Sequence, residues 1–120
     1  MKRFILATAL LMTATATAGE RVDHFQGLPA ESLEQAVANF SEYNVRLAAI
    51  LENDTLTAED MHRIHELTYT LENALEKINA DLTALADTLE ELHVASETAQ
   101  YEAAQQFGAA YLEKARKVIP

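Results

Sequence analysis

A row of apolar residues with heptad spacing constrains this sequence more than any other feature. Ten positions between residues 61 and 92 follow one another at alternating intervals of three and four residues, and nine of them are apolar. Such a row lies along one side of an α-helix, because three and four residues both approach one helical turn. Neither Gly nor Pro interrupts it, so the sequence predicts one long helix from residue 58 to about residue 94. This heptad row consists of Met61, Ile64, Thr68, Leu71, Leu75, Ile78, Leu82, Leu85, Leu89 and Leu92.

Two shorter helices are predicted, one on each side of the long helix. Ser32, followed by Gln35, matches the start of a helix that ends at the polar residues 52–54. Thr57 is the predicted cap of the long helix, and Ser96 is the predicted start of a third helix. Short connections place neighbouring helices antiparallel. The predicted fold is therefore all-α: an elongated antiparallel three-helix bundle with one long central helix.

The first 18 residues have the pattern of a cleavable signal peptide. Lys2 and Arg3 precede an apolar stretch at residues 4–12, and small residues at 16–18 fit a cleavage site. Nine apolar residues are far fewer than the about 20 that span a bilayer, and no later segment is apolar enough to span one. The sequence thus predicts a periplasmic or secreted protein with a lead segment at residues 19–28 and a helical bundle domain at residues 29–120.

The charge and the absence of cysteine exclude several classes of function. Without Lys2 and Arg3, seven basic residues remain against 19 acidic ones, a formal charge of −12. Such a surface repels nucleic acid, so no nucleic-acid partner is expected. The chain has no Cys, which excludes disulfides, a lipidated cysteine and covalently attached haem.

Three stretches of the chain resemble a known group of proteins. They are residues 21–30, residues 39–44 and residues 65–79. Together they resemble a family of small, exported, uncharacterised helical proteins from proteobacteria. The resemblance covers the whole chain after the signal peptide and implies a helical domain of unknown function, and it brings no assigned site residues.

Four polar residues near the start of the long helix are candidate metal ligands. His62 and His65 lie three residues apart, and Glu59 and Glu66 lie within one turn of them. Imidazole pairs flanked by carboxylates bind zinc, copper or iron. The alternative interpretation is an ordinary solvated start of a helix, which has the same composition.

The sequence indicates an interaction protein more than an enzyme. There is no Cys nucleophile and no Gly-x-Ser-x-Gly turn, and the sequence contains no Gly-rich phosphate loop. No cofactor is predicted, and no catalytic residue is expected. The primary hypothesis is a non-enzymatic protein–protein interaction or structural module, with a homodimer through the long helix as one form of it. The alternative hypothesis is a metal- or cofactor-binding helical bundle that uses His62 and His65.

Overall fold

The computed structural model describes residues 25–120 and contains three α-helices. They are α1 (Leu33–Leu51), α2 (Ala58–Glu97) and α3 (Tyr101–Val118), and residues 25–120 contain no strand. The prediction of an all-α fold with one long central helix is confirmed. The predicted signal peptide and residues 19–24 of the lead segment lie outside the described residues.

Local side-chain bonds start α1 and α2 where the sequence predicts. The hydroxyl of Ser32 accepts a hydrogen bond from the N–H of Gln35, 3.1 Å away. At α2, Thr57 and Asp60 form a reciprocal capping box: each side chain accepts a hydrogen bond from the backbone N–H of the other residue, at 3.1 and 3.0 Å. These bonds satisfy N–H groups that have no partner within the helix.

The start of α3 differs from the prediction. Ser96 lies inside α2, where its hydroxyl donates a hydrogen bond to the carbonyl oxygen of His93 at 2.7 Å, so it caps no helix. The chain reverses direction at residues 98–100, where Ala99 has a left-handed φ of 53°. An alanine in that conformation gives no sequence signal of a turn, because this region favours Gly. The prediction that α3 begins at Ser96 is wrong, and it begins at Tyr101.

The two shorter helices cover different halves of α2. Leu33 and Ala36 of α1 pack with Ala74 and Ile78 in the middle of α2, while the C-terminal end of α1 lies near the start of α2. On the other half, a Cβ at Gly108 of α3 would lie 3.7 Å from the Leu92 side chain. Both α1 and α3 are therefore antiparallel to α2.

The ends of α1 and α3 meet over the middle of α2. Val118 of α3 packs against the core formed by α1 and α2. Nζ of Lys117 lies 2.7 Å from Oε1 of Glu34, and this contact raises the pKa of Lys117 and lowers that of Glu34. The result is an elongated molecule in which α2, about 60 Å long at 1.5 Å per residue, carries both other helices.

The described part of the lead segment is bound to α2 through its backbone. The N–H of Leu28 donates to the hydroxyl of Thr70 at 2.9 Å. The amide of Asn73 donates to the carbonyl oxygens of Gln26 and Leu28, at 3.0 and 2.9 Å. Gly27 has a φ of +69°, and a Cβ there would lie 2.6 Å from the backbone nitrogen of Thr70. The backbone of the segment thus lies so close to the backbone of α2 that no side chain fits at residue 27.

Candidate functional site

The structure places the four predicted metal ligands in the first turns of α2. Nε2 of His62 lies 3.3 Å from Oε1 of Glu66. His65 instead contacts Tyr69, with its Nε2 3.3 Å from the phenolic oxygen and the two rings 5.1 Å apart in an edge-on arrangement. The two histidines therefore have different neighbours.

These residues do not form a ready-made metal cluster. Within residues 25–120, no group of three or more His, Asp or Glu side chains comes together in a way that could hold a metal ion. The site that the sequence suggests at His62, His65, Glu59 and Glu66 stays a prediction. At the far end of α2, Nε2 of His93 lies 3.4 Å from Glu97 in a similar pair.

The heptad row of α2 divides into a buried line and an exposed line. Leu71, Ile78 and Leu85, seven residues apart, are 8, 9 and 7% exposed because α1 and α3 pack on them. The alternate positions Leu75, Leu82 and Leu89 are 41, 40 and 44% exposed. These three leucines, here named the apolar strip, form one straight line along the helix, since residues seven apart share a face.

The charge around the apolar strip has one sign. After Lys77, α2 contains no Lys or Arg, and its charged side chains there are Asp81, Asp87, Glu90, Glu91 and Glu97. Asp81 is neutralised by two lysines, whereas Asp87, Glu90 and Glu91 are exposed. The half of α2 that carries Leu82 and Leu89 is therefore both apolar along one line and strongly acidic.

The second surface feature is a cleft, here named the α1–α2 cleft, between the end of α1, the start of α2 and the lead segment. Its volume is about 360 Å³, and apolar side chains of Ala49, Ile50 and Leu67 line it together with the rings of Phe25 and Tyr43. The polar side chains that line it are Arg46, Arg63 and Glu66. The cleft thus combines an apolar wall with two arginine side chains.

The sequence analysis did not identify Thr70 and Asn73 as the residues that hold the lead segment. Thr70 is 1% exposed and Asn73 is half-buried, although both are polar residues on a helix. They lie within residues 65–79, and their partners lie within residues 21–30, so two of the stretches that carry the family resemblance contact each other.

These features define an elongated all-α protein in which one long helix bears both shorter helices and presents an apolar strip. The chain belongs to the family of unknown function DUF6746, whose sequence model matches residues 1–120. No curated protein and no solved structure gives a match. The resemblance to a family of unknown function is thereby confirmed, while export and a proteobacterial range stay predictions. None of the described helices is long and apolar enough to cross a membrane.

Proposed function

We propose that this chain is a non-enzymatic, exported protein that binds another protein through the apolar strip of α2. The observation that carries the proposal is the contrast within the heptad row: Leu75, Leu82 and Leu89 are about 40% exposed, while the positions between them are buried. The signal-peptide pattern of residues 1–18 supports a periplasmic or secreted location.

The geometry of the apolar strip suits a helix as its partner. Leu75 and Leu89 lie 14 residues apart, which corresponds to about 21 Å along the helix. Equal spacing of seven residues is the repeat that a second helix matches with its own apolar row. A partner helix of about four turns would cover all three leucines.

The charge of α2 favours a basic partner over a second copy of this chain. An antiparallel pair of α2 helices centred on Leu82 would align Leu75 of one copy with Leu89 of the other, as two-fold symmetry requires. It would also oppose two acidic surfaces, which costs free energy. We therefore propose a partner helix with Lys or Arg beside its apolar row, and the homodimer is the alternative that the experiment distinguishes.

The experiment uses the chain from Gly19 onwards and two synthetic 21-residue helices that share a leucine heptad row. One carries Lys at the flanking positions and the other carries Glu. Fluorescence anisotropy at about 150 mM salt, where long-range charge effects are screened, should show binding of the Lys peptide only. Analytical ultracentrifugation of the protein alone should show a monomer.

Two variants with the same charge change make the test specific. Leu82→Glu should weaken binding of the Lys peptide at least about tenfold, which is about 1.4 kcal/mol. Val45→Glu, at an exposed position of α1, should leave it unchanged. Both substitutions add one negative charge, so a selective loss in Leu82→Glu shows that binding occurs at the apolar strip and is not a general effect of the added charge. Equal binding by both variants, or a dimer that Leu82→Glu dissociates, would refute a basic partner at this strip.

Metal binding is the second candidate function, and the contact between His62 and Glu66 is the observation that favours it. Elemental analysis of untagged protein purified without chelators tests it. Near-stoichiometric zinc, copper or iron that disappears in a variant with both His62→Ala and His65→Ala would establish this function. Metal-free protein would leave the interaction proposal alone.

A further inference from the structure

The α1–α2 cleft combines features of a small-molecule site on a chain that is otherwise strongly acidic. Arg46 is the sole Lys or Arg of α1, and Arg63 is the sole Lys or Arg of α2 before Lys77. Although they belong to different helices, both line the same cleft. Helix packing has therefore placed two arginines from different helices in the lining of one cleft.

Both guanidinium groups keep hydrogen-bonding capacity for a ligand. Arg46 pairs with Glu42 and Arg63 with Asp60, the latter at 3.8 Å, and each partner is on the same helix as its arginine. More than half of each arginine side chain is exposed, so these pairs contribute little free energy. Lys114 and Lys117 of α3 differ from these arginines, because each forms an ion pair with a carboxylate of another helix.

The arrangement of Arg46 suits a planar anion. Its guanidinium carbon lies 4.6 Å from the centroid of the Tyr43 ring, over the ring face. A stacked guanidinium presents its N–H groups at the edge of the plane, where a carboxylate accepts two parallel hydrogen bonds. The stacking also restricts the side chain before a ligand arrives, which lowers the entropy lost on binding.

The remaining lining of the cleft defines the rest of the ligand. Ile50 is buried at the inner wall, and Phe25, Ala49 and Leu67 extend the apolar surface. A cleft of about 360 Å³ is at the small end of ligand sites. Glu66 lies in the same lining and would repel a second negative charge on the ligand.

We propose that the α1–α2 cleft binds a small amphiphilic monocarboxylate, with the carboxylate at Arg46 and Arg63 and the apolar body against Ile50, Leu67 and Phe25. Neither the family nor the interaction proposal assigns this site, and it lies at the opposite end of α2 from Leu82 and Leu89. The two proposals therefore stand or fall independently.

The experiment measures binding of 3-phenylpropionate to the chain from Gly19 onwards by NMR chemical-shift titration. Saturable shifts are expected for residues that line the cleft, and the neutral analogue 3-phenylpropanamide should bind at least about tenfold more weakly, since it forms no charge-assisted bonds. Benzylmalonate, which carries two carboxylates, should also bind more weakly because of Glu66.

Three variants assign the roles of the charged residues. Arg46→Gln and Arg63→Gln should each weaken 3-phenylpropionate binding about tenfold or more. Glu66→Gln should strengthen it, which a merely structural residue would not do. Arg116→Gln, in the last turn of α3, is the matched control and should change nothing. Circular dichroism should show that all four variants keep the helical fold.

Two results would overturn the proposal. One is the absence of saturable shifts up to about 10 mM 3-phenylpropionate, a concentration above the Kd expected of a formed site. The other is equal binding of the acid and its amide, which would reduce the cleft to an apolar surface without a role for the arginines.

Discussion

Asp81 of α2 and Lys114 of α3 form an ion pair between helices, with Oδ1 3.2 Å from Nζ. Oδ2 of the same carboxylate lies 2.8 Å from Nζ of Lys77, one turn away on α2. The Lys77 contact, together with that of Lys114, holds the pKa of Asp81 below its ordinary value although desolvation acts in the opposite direction. Because Lys114 belongs to α3, this carboxylate joins α3 to α2, and it does so near Glu34 at the start of α1.

The first prediction concerns the stability of the fold in acid. The lowered pKa of Asp81 means that the unfolded chain binds its proton more readily than the folded one. Its stabilising effect is therefore complete above the ordinary aspartate pKa of about 4 and is lost as the pH falls through the lower pKa of the folded state. Asp81→Asn should lower the free energy of unfolding by about 1 kcal/mol at pH 7, given that both lysines are partly exposed.

Urea unfolding of both proteins at a series of pH values between about 2 and 7 measures this effect. As the pH falls below the ordinary aspartate pKa of about 4, the difference between wild type and Asp81→Asn should shrink, because the wild-type carboxylate is progressively neutralised as well. Asp87→Asn, at an exposed position of the same helix, is the control and should show no such convergence. A constant difference at all pH values would contradict the assignment.

The second prediction compares two glycines. Gly27→Ala should destabilise the protein by about 2 kcal/mol or more, because its φ of +69° disfavours a side chain and the new Cβ would clash with the backbone of Tyr69 and Thr70. Gly108→Ala should stabilise it by up to about 1 kcal/mol, because Ala favours a helix and its Cβ would only touch Leu92. Thermal unfolding measures both. An unchanged or raised melting temperature of Gly27→Ala would show that the lead segment is not held as described, and a lowered one of Gly108→Ala would contradict the space for a Cβ beside Leu92.

The third prediction tests the division of the heptad row. Leu85→Ala should cost about 3 kcal/mol, because it leaves a cavity under α3, whereas Leu82→Ala should cost less than about 1 kcal/mol. The two residues are three positions apart on the same helix and differ mainly in exposure. Denaturant unfolding of the monomer distinguishes them, and similar losses would mean that the apolar strip is covered in the isolated chain.

The fourth prediction concerns the anchoring of the lead segment. Thr70→Val keeps the shape of the side chain but removes the acceptor of the Leu28 N–H, so it should cost about 1–2 kcal/mol. The Leu28 amide should also exchange with solvent faster. Thr83→Val is the control: the hydroxyl of Thr83 is exposed and bonds only to its own helix. Unchanged exchange at Leu28 in the Thr70 variant would contradict this hydrogen bond.

Helix positions were predictable from the sequence wherever the cause is local. The heptad row defines α2, and Ser32 and Thr57 cap helices through bonds within three residues. The turn at Ala99 was not predictable, because the left-handed residue that ends α2 is usually Gly. Here Ala takes that place, and the N–H of Gln100 donates to the carbonyl oxygen of Ala95 at 2.9 Å.

The candidate sites depended on contacts that no local pattern contains. Heptad spacing predicts that ten residues share a side of α2. Whether one of them is buried, as Leu85 is, or exposed, as Leu82 is, depends on where α1 and α3 pack. Likewise, Arg46 and Arg63 are ordinary exposed arginines in the sequence, and they line one cleft only after α1 folds back on α2. His62 and His65, the predicted metal ligands, form only pairwise contacts within the described residues.

The meeting of α1 and α3 over the middle of α2 also bears on how the molecule opens. Each short helix shares far more contact with α2 than with the other, so the fold is in effect two helical hairpins that use opposite halves of one central helix. Native-state hydrogen exchange should therefore show two separate units of local unfolding, joined by Glu34, Lys117 and Val118. A molecule with this architecture can release α1 or α3 to a partner while the other short helix and its half of α2 remain folded.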